Sequence, residues 1–178
     1  CFLQRDFEDG CATITPMKLQ KLVYCLHGWH LAITGKAAID GVFEAWPYGP
    51  VEEDMYHLFK PHRNKPINSY AQSWDGDDQK AFVVAQNGNK EFYDILDFVS
   101  NRYMPFSATQ LSAMTHKPGT PWSITRDQGM STIPDSLTYL GLLIFWQPEN
   151  EHFNDVFAGI TSIITLILGY LFGSSDRR

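Results

Sequence analysis

ITPMKLQKLVYCLHGWHLAITG, residues 14–35, is the stretch that decides the fold. Thr15 offers a hydroxyl to cap a helix, and Pro16 suits its first position, where the missing N–H has no intrahelical partner to lose. Leu19, Leu22, Val23, Leu26, His30 and Ile33 follow at steps of three and four, which predicts one apolar helical face within residues 12–34. Gly35 closes the helix, because glycine enters the left-handed C-cap conformation freely. Lys18 and Lys21 share a side of this helix, either as a solvated edge or as a pair turned toward a partner.

Outward from this helix the pattern stays helical. Residues 36–49 form a connector of turn-formers and aromatics, with a short extended piece around Val42 to Ala45. Pro50 is expected to open a second helix running to about Phe59, with Glu52, Glu53 and Asp54 in its first turn and Lys60 at its end, as the helix dipole prefers. Residues 61–78 read as an irregular loop, and residues 79–86 fit helix or strand equally. Residues 89–103 form an amphipathic helix burying Phe92, Ile95, Leu96 and Val99, and Pro105 ends it. Ser107 and Gln110 make a capping box for a helix that ends near Thr115. Thr138 to Trp146 is an apolar run long enough for a buried helix only. The expected class is mainly α: a compact helical domain over residues 1–148 with aromatic-rich Gly/Pro connectors, and a C-terminal hydrophobic helix within 149–178.

Val156 to Gly173 is that last helix, 18 consecutive residues without a charge. At helical rise it is about 27 Å long, sufficient for a bilayer. Ala158, Ser162, Thr165, Gly169 and Gly173 make a stripe of small residues, suited to close contact with a second helix or another copy. Buried packing on the globular domain is the competing outcome. As a membrane anchor it would hold a cytoplasmic domain at the inner membrane. The flanks vote the other way, with Glu149, Glu151 and Asp155 before the segment and Arg177 and Arg178 after it.

Composition narrows the function classes. The 178 residues hold 14 Lys and Arg against 20 Asp and Glu, a net charge of −6, so nucleic acid is not expected as a partner. Hydrophobic residues are 44%, which supports a packed core over disorder. Three cysteines, Cys1, Cys11 and Cys25, make a poor disulfide framework and fit free thiols in a reducing compartment. The chain begins with Cys1 and not Met, as expected of a piece of a longer protein, and no secretory signal opens it.

No phosphate-binding glycine loop, nucleophile elbow or zinc-protease motif is present in the sequence. His27 and His30 are spaced to hold a metal, yet no third and fourth ligand accompany them. His57 and His62 flank a proline-terminated helix end, and Asp75, Asp77 and Asp78 read as a solvated turn. Cys25 reads as a small core residue, and no nucleophile is spaced to use His116 as a base. No metal, cofactor or catalytic residue is assigned. The aromatic connectors 45–51 and 115–122 stand out instead. Trp46 and Trp122 either meet a partner on a rigid backbone or lock helices together.

Three segments in order, ITPMKLQKLVYCLHGWHLAITG (14–35), EAWPYGPVEEDMYHLF (44–59) and LSAMTHKPGTPW (111–122), resemble the Panacea domain. This is the family of the SocA-type antitoxins and the phage-associated GepA-like proteins, and the resemblance covers roughly residues 2 to 125. It implies a compact, mainly helical antitoxin, not an enzyme, that neutralises a cognate toxin encoded beside it by direct protein–protein binding. Some relatives act instead as adaptors that deliver the toxin to a protease. A His-dependent enzyme using His116, or His27 with His30, is the remaining alternative. The signature positions map to Lys18, Lys21, Trp46, Tyr48, Gly49, Pro50, His116, Pro121 and Trp122, as toxin contacts or as supports of the fold. In the family a further helical segment usually precedes position 1, and the segment after about Pro148 is not part of the typical domain.

Overall fold

The computed structural model describes residues 1–75, 78–81 and 88–145. Residues 1–142 make one compact unit, and residues 143–178 a second, of which only 143–145 fall in the described range.

The first unit is mainly helical with a small sheet. Helix α1 (Phe2–Glu8) leads to the central helix α2 (Pro16–Thr34). The Thr15 hydroxyl caps α2 by accepting from Lys18 N at 3.3 Å, and Gly35 closes it at φ 70°. Both ends thus follow the sequence pattern. The buried Asp6 carboxylate ties α1 to the entry of α2, accepting from Thr13 N, Thr13 Oγ1 and Ile14 N at 2.7–3.0 Å. The buried surface of α2 is broader than one stripe. Lys21, Tyr24, Cys25 and His27 are buried beside Leu19, Leu22 and Leu26, whereas Ile33 is 55% exposed. By its last turn the helix has passed the core.

The largest correction lies in the first connector. Strand β1 (Phe43–Trp46) and strand β2 (Gly49–Glu52) form a hairpin, and the helix expected from Pro50 starts three residues later, as α3 (Glu53–Phe59). Burial alternates along β1, the period of a half-buried strand. Pro50 is tolerated because β2 lies at the sheet edge, where no N–H is needed. Glu52 ends the strand and caps α3, its carboxylate accepting from Asp54 N at 3.2 Å and Met55 N at 2.7 Å. The acidic run does open a helix, three residues further along than the proline suggested.

After α3 come a 3-10 turn (Lys60–His62) and a second hairpin, β3 (Gln72–Asp75) and β4 (Asp78–Ala81), where a loop had been expected up to residue 78. Helix α4 (Lys90–Tyr103) buries Ile95, Leu96, Val99 and Tyr103, with Phe92 only half-buried. Helix α5 (Ala108–Thr115) carries the capping box of Ser107 and Gln110 in full. Thr120 and Pro121 are less a connector than the start of helix α6 (Pro121–Asp127), with Thr120 Oγ1 accepting from Ser123 N. Strand β5 (Thr132–Ile133) completes the antiparallel sheet in the order β2-β1-β5, and helix α7 (Asp135–Phe145) follows. Tyr24, Phe43, Ala45 and Ile133 form one core cluster between α2 and the sheet, the Tyr24 and Phe43 rings meeting edge to face at 5.0 Å.

Val156 to Gly173, with its stripe of Ala158, Ser162, Thr165, Gly169 and Gly173, lies outside the described residues. Among the described residues no helix is long and apolar enough to cross a membrane.

Candidate functional site

The β1–β2 hairpin is held by its backbone. Trp46 pairs with Gly49, leaving Pro47 and Tyr48 as the turn. Five side chains from three helices donate to the hairpin's carbonyls. Lys21 Nζ of α2 donates to Pro50 O at 2.8 Å. Ser112 Oγ of α5 donates to Tyr48 O at 3.0 Å, and the Nε2–H of His116 to Pro47 O at 3.0 Å. Trp122 Nε1 of α6 donates to Trp46 O at 2.8 Å, and the Arg126 guanidinium to Ala45 O at 3.3 Å. The His116 and Trp122 rings meet with centroids 3.8 Å apart and planes tilted by 44°, and His116 Nδ1 faces Ser112 O at 2.6 Å.

Gly49 is what allows this convergence. Its φ is +101°, a conformation other residues seldom adopt, and a Cβ there would lie 2.7 Å from Thr115 Oγ1 and 2.9 Å from Lys21 Nζ. The free edge of β2 is closed by side chains as well. The Gln20 amide exchanges two 2.9 Å hydrogen bonds with the Glu52 backbone, as a neighbouring strand would. With Lys21 on Pro50 O and no N–H on the proline, this edge offers no ladder for strand addition.

Lys21 is only 1% exposed. Burial disfavours its charged form and lowers its pKa to about 7, opposed by Cys25 one turn on, whose own thiol burial pushes well up. Lys18 donates its ammonium to Met104 O at 2.7 Å, and burial lowers its pKa too, with Asp6 opposing. Neither lysine is a plain solvated charge.

Beside the hairpin tip lies an apolar pocket of about 170 Å³. Met17, Trp46, Val51, Met55, Tyr56 and Phe59 supply its walls, while Lys21 and Gln20 contribute polar groups and Arg63 also lines it. The Trp46 and Tyr56 rings meet edge to face at 4.8 Å, and Trp46 Nε1 donates to Glu44 Oε2 at 2.5 Å. Tyr48, also in the lining, is 75% exposed at the tip.

The signature positions therefore separate by role. Lys18, Lys21, His116 and Trp122 hold backbone carbonyls, Pro121 starts a helix, Gly49 allows the close approach and Pro50 offers the carbonyl that Lys21 holds. Trp46 and Tyr48 face the pocket. Sequence reasoning missed Ser112 and Arg126 in the clamp, Gln20 at the strand edge, Thr115 against Gly49, and Met17, Met55, Tyr56 and Arg63 around the pocket. Ser112 carried a signal, since it lies one helical turn before His116. The two histidines considered for a metal are spoken for separately. His27 Nε2 lies 3.1 Å from Asp135 Oδ1, and His30 Nδ1 lies 2.7 Å from Lys36 O. Among the described residues no three His, Cys, Asp or Glu side chains gather as a metal would need.

Residues 19–123 match the family described as Antitoxin SocA-like, Panacea domain. The chain is 32% identical over 111 residues to Antitoxin SocA of Caulobacter vibrioides (strain NA1000 / CB15N), covering 62% of this chain and 59% of that protein. It thus spans about three-fifths of the length of the curated relative it matches. No solved structure matches the chain. The matched range contains the hairpin, Lys21, Ser112, His116 and Trp122, and leaves Arg126 outside.

Proposed function

Because the chain belongs to the SocA-like, Panacea-domain family, we propose that it is an antitoxin that neutralises its toxin by direct binding, without chemistry of its own. One observation carries the choice of surface: the hairpin tip presents a 75% exposed tyrosine beside an apolar pocket, on a backbone that five side-chain donors fix in place. A tip already ordered loses little conformational freedom on binding. Stable interfaces bury about 1,600 Å² in total, and a few aromatic or Arg anchors near the centre carry most of the energy. Tyr48, Trp46, Tyr56 and Arg63 are residues of that kind. His116 supports this reading over catalysis, because its ring packs against Trp122 and both its nitrogens face backbone carbonyls.

Co-expression with the product of the adjoining reading frame is the test. The wild-type chain should restore growth and co-purify with the toxic product. Tyr48→Ala should lose both with an unchanged melting temperature. Retained rescue by that variant would move the interface elsewhere, and failure of the wild type to rescue would remove the antitoxin role.

A further inference from the structure

The pocket's size and its charges specify what enters it. An apolar cavity of about 150 Å³ holds one benzene ring, whereas drug-sized ligands fill about 300–1,000 Å³. At about 170 Å³ this pocket has room for one aromatic side chain and not for a cofactor. Its walls are apolar and aromatic, so the ring would be gripped on several sides by Met17, Met55, Tyr56 and Phe59.

The charged residues of the lining, Lys21 and Arg63, are both basic on a chain whose net charge is −6, and the Glu44 carboxylate that meets the wall is engaged by Trp46 Nε1 at 2.5 Å. Arg63 is part of the lining, and Lys60 Nζ stands 5.6 Å from the centre of the Tyr56 ring. Lys21 lies in the wall. No described carboxylate pairs with Arg63 or Lys60. The carboxylates of α3 do not neutralise them: Glu53 and Asp54 stand at the opposite end of that helix, and Glu53 lies 3.5 Å from His57. Glu52 is committed to capping α3. Arg63 is also held in an unusual conformation. At φ 55° it is the described non-glycine residue with positive φ, fixed by Arg63 N donating to Lys60 O at 3.0 Å. Strain of this kind persists where the surroundings impose it and gathers at binding sites.

We propose that this pocket receives a single aromatic side chain from an acidic segment of the partner protein, its flanking carboxylates meeting Arg63 and Lys60. The assignment rests on the antitoxin reading for the partner's identity, but the recognition chemistry stands separately and is tested separately. Three capped tripeptides serve as probes against the full ¹⁵N-labelled chain: Glu-Phe-Glu, Lys-Phe-Lys and Glu-Ala-Glu. The indole N–H signal of Trp46 is the readout. Glu-Phe-Glu should shift it saturably, with Lys-Phe-Lys weaker by about fivefold, the effect of a few exposed charge pairs reversed in sign. Glu-Ala-Glu should leave the signal in place. Arg63→Glu, an exposed substitution whose folding is checked by circular dichroism, should remove or invert the preference.

Equal affinity for the two phenylalanine peptides, an alanine peptide that binds as well, or a response confined to Trp122 would overturn the proposal. Growth rescue separates the two levels. If the wild type rescues and Arg63→Glu and Tyr56→Ala rescue equally well, the pocket is wrong and the antitoxin role stands. If the wild type does not rescue while the peptides discriminate as expected, the antitoxin role falls and the pocket's selectivity stands.

Discussion

Replacing Lys21 by methionine should change stability with a sign that depends on pH. The ammonium is buried and its pKa in the folded protein is lowered from 10.5 to about 7. Below pH 7 both folded and unfolded chains hold the proton, so the folded state carries the whole desolvation cost. A gap of about 3.5 pH units corresponds to about 5 kcal/mol at about 1.4 kcal/mol per unit. Between pH 7 and 10.5 the unfolded chain binds the proton and the folded chain does not, so stability rises with pH. Above 10.5 both are neutral and the cost is gone. Methionine has a similar shape and no charge, but it leaves Pro50 O without its donor, worth about 1–3 kcal/mol. Lys21→Met should therefore be more stable than wild type by about 2–4 kcal/mol at pH 6.5, and less stable by about 1–3 kcal/mol at pH 10.5. The two curves cross between about pH 8 and 10. Urea unfolding of both proteins from pH 6 to 10.5 measures this directly. Apart from Cys25, whose thiol interacts with Lys21 one turn away, the titrating groups are common to the pair, so the difference reads Lys21 together with that thiol. A difference that stays flat across that range would show that Lys21 titrates as an ordinary surface lysine.

Gly49→Ala should cost about 2–5 kcal/mol, from a positive φ and a Cβ forced against Thr115 and Lys21, and lower the melting temperature by about 5–15 °C. Trp122→Phe keeps a ring on His116 and removes the donor to Trp46 O, so a loss of about 1–3 kcal/mol is expected in denaturant titration. Asp6→Ala strips three hydrogen bonds from the entry of α2 and should cost about 3–5 kcal/mol by the same measurement.

What the sequence disclosed was local. Thr15, Pro16 and Gly35 delimit α2, and Ser107 with Gln110 starts α5, because caps act within four residues of themselves. The hairpin was hidden by an ambiguity of the same kind. A proline followed by Glu52, Glu53 and Asp54 is a helix start, and only the pairing of Phe43 with Glu52 makes Pro50 an edge-strand residue. Lys21 looked polar because burial of a lysine is decided by what packs around it, here Gly49, Pro50 and Thr115, all distant in sequence. The clamp was illegible for that reason too. Ser112, His116, Trp122 and Arg126 reach carbonyls 64 to 81 residues away.

A clamp made this way separates folding from recognition. Its donors meet carbonyl oxygens, which every residue type supplies, so the side chains at the tip do not enter the contacts that hold the tip. Tyr48 is placed by its backbone and its ring is left 75% exposed to meet a surface, whereas the Trp46 ring is held by Glu44 and Tyr56. Constraint falls on the positions that set turn shape and close approach: Gly49 for its φ, Pro50 for the missing N–H, Lys21 for the fit against Gly49. Tyr48 and Arg63 carry no such duty to the hairpin, so changing them alters what the surface recognises at little cost to the scaffold. For the antitoxin proposed above, that division lets affinity be tuned at the tip while the fold that presents it stays the same.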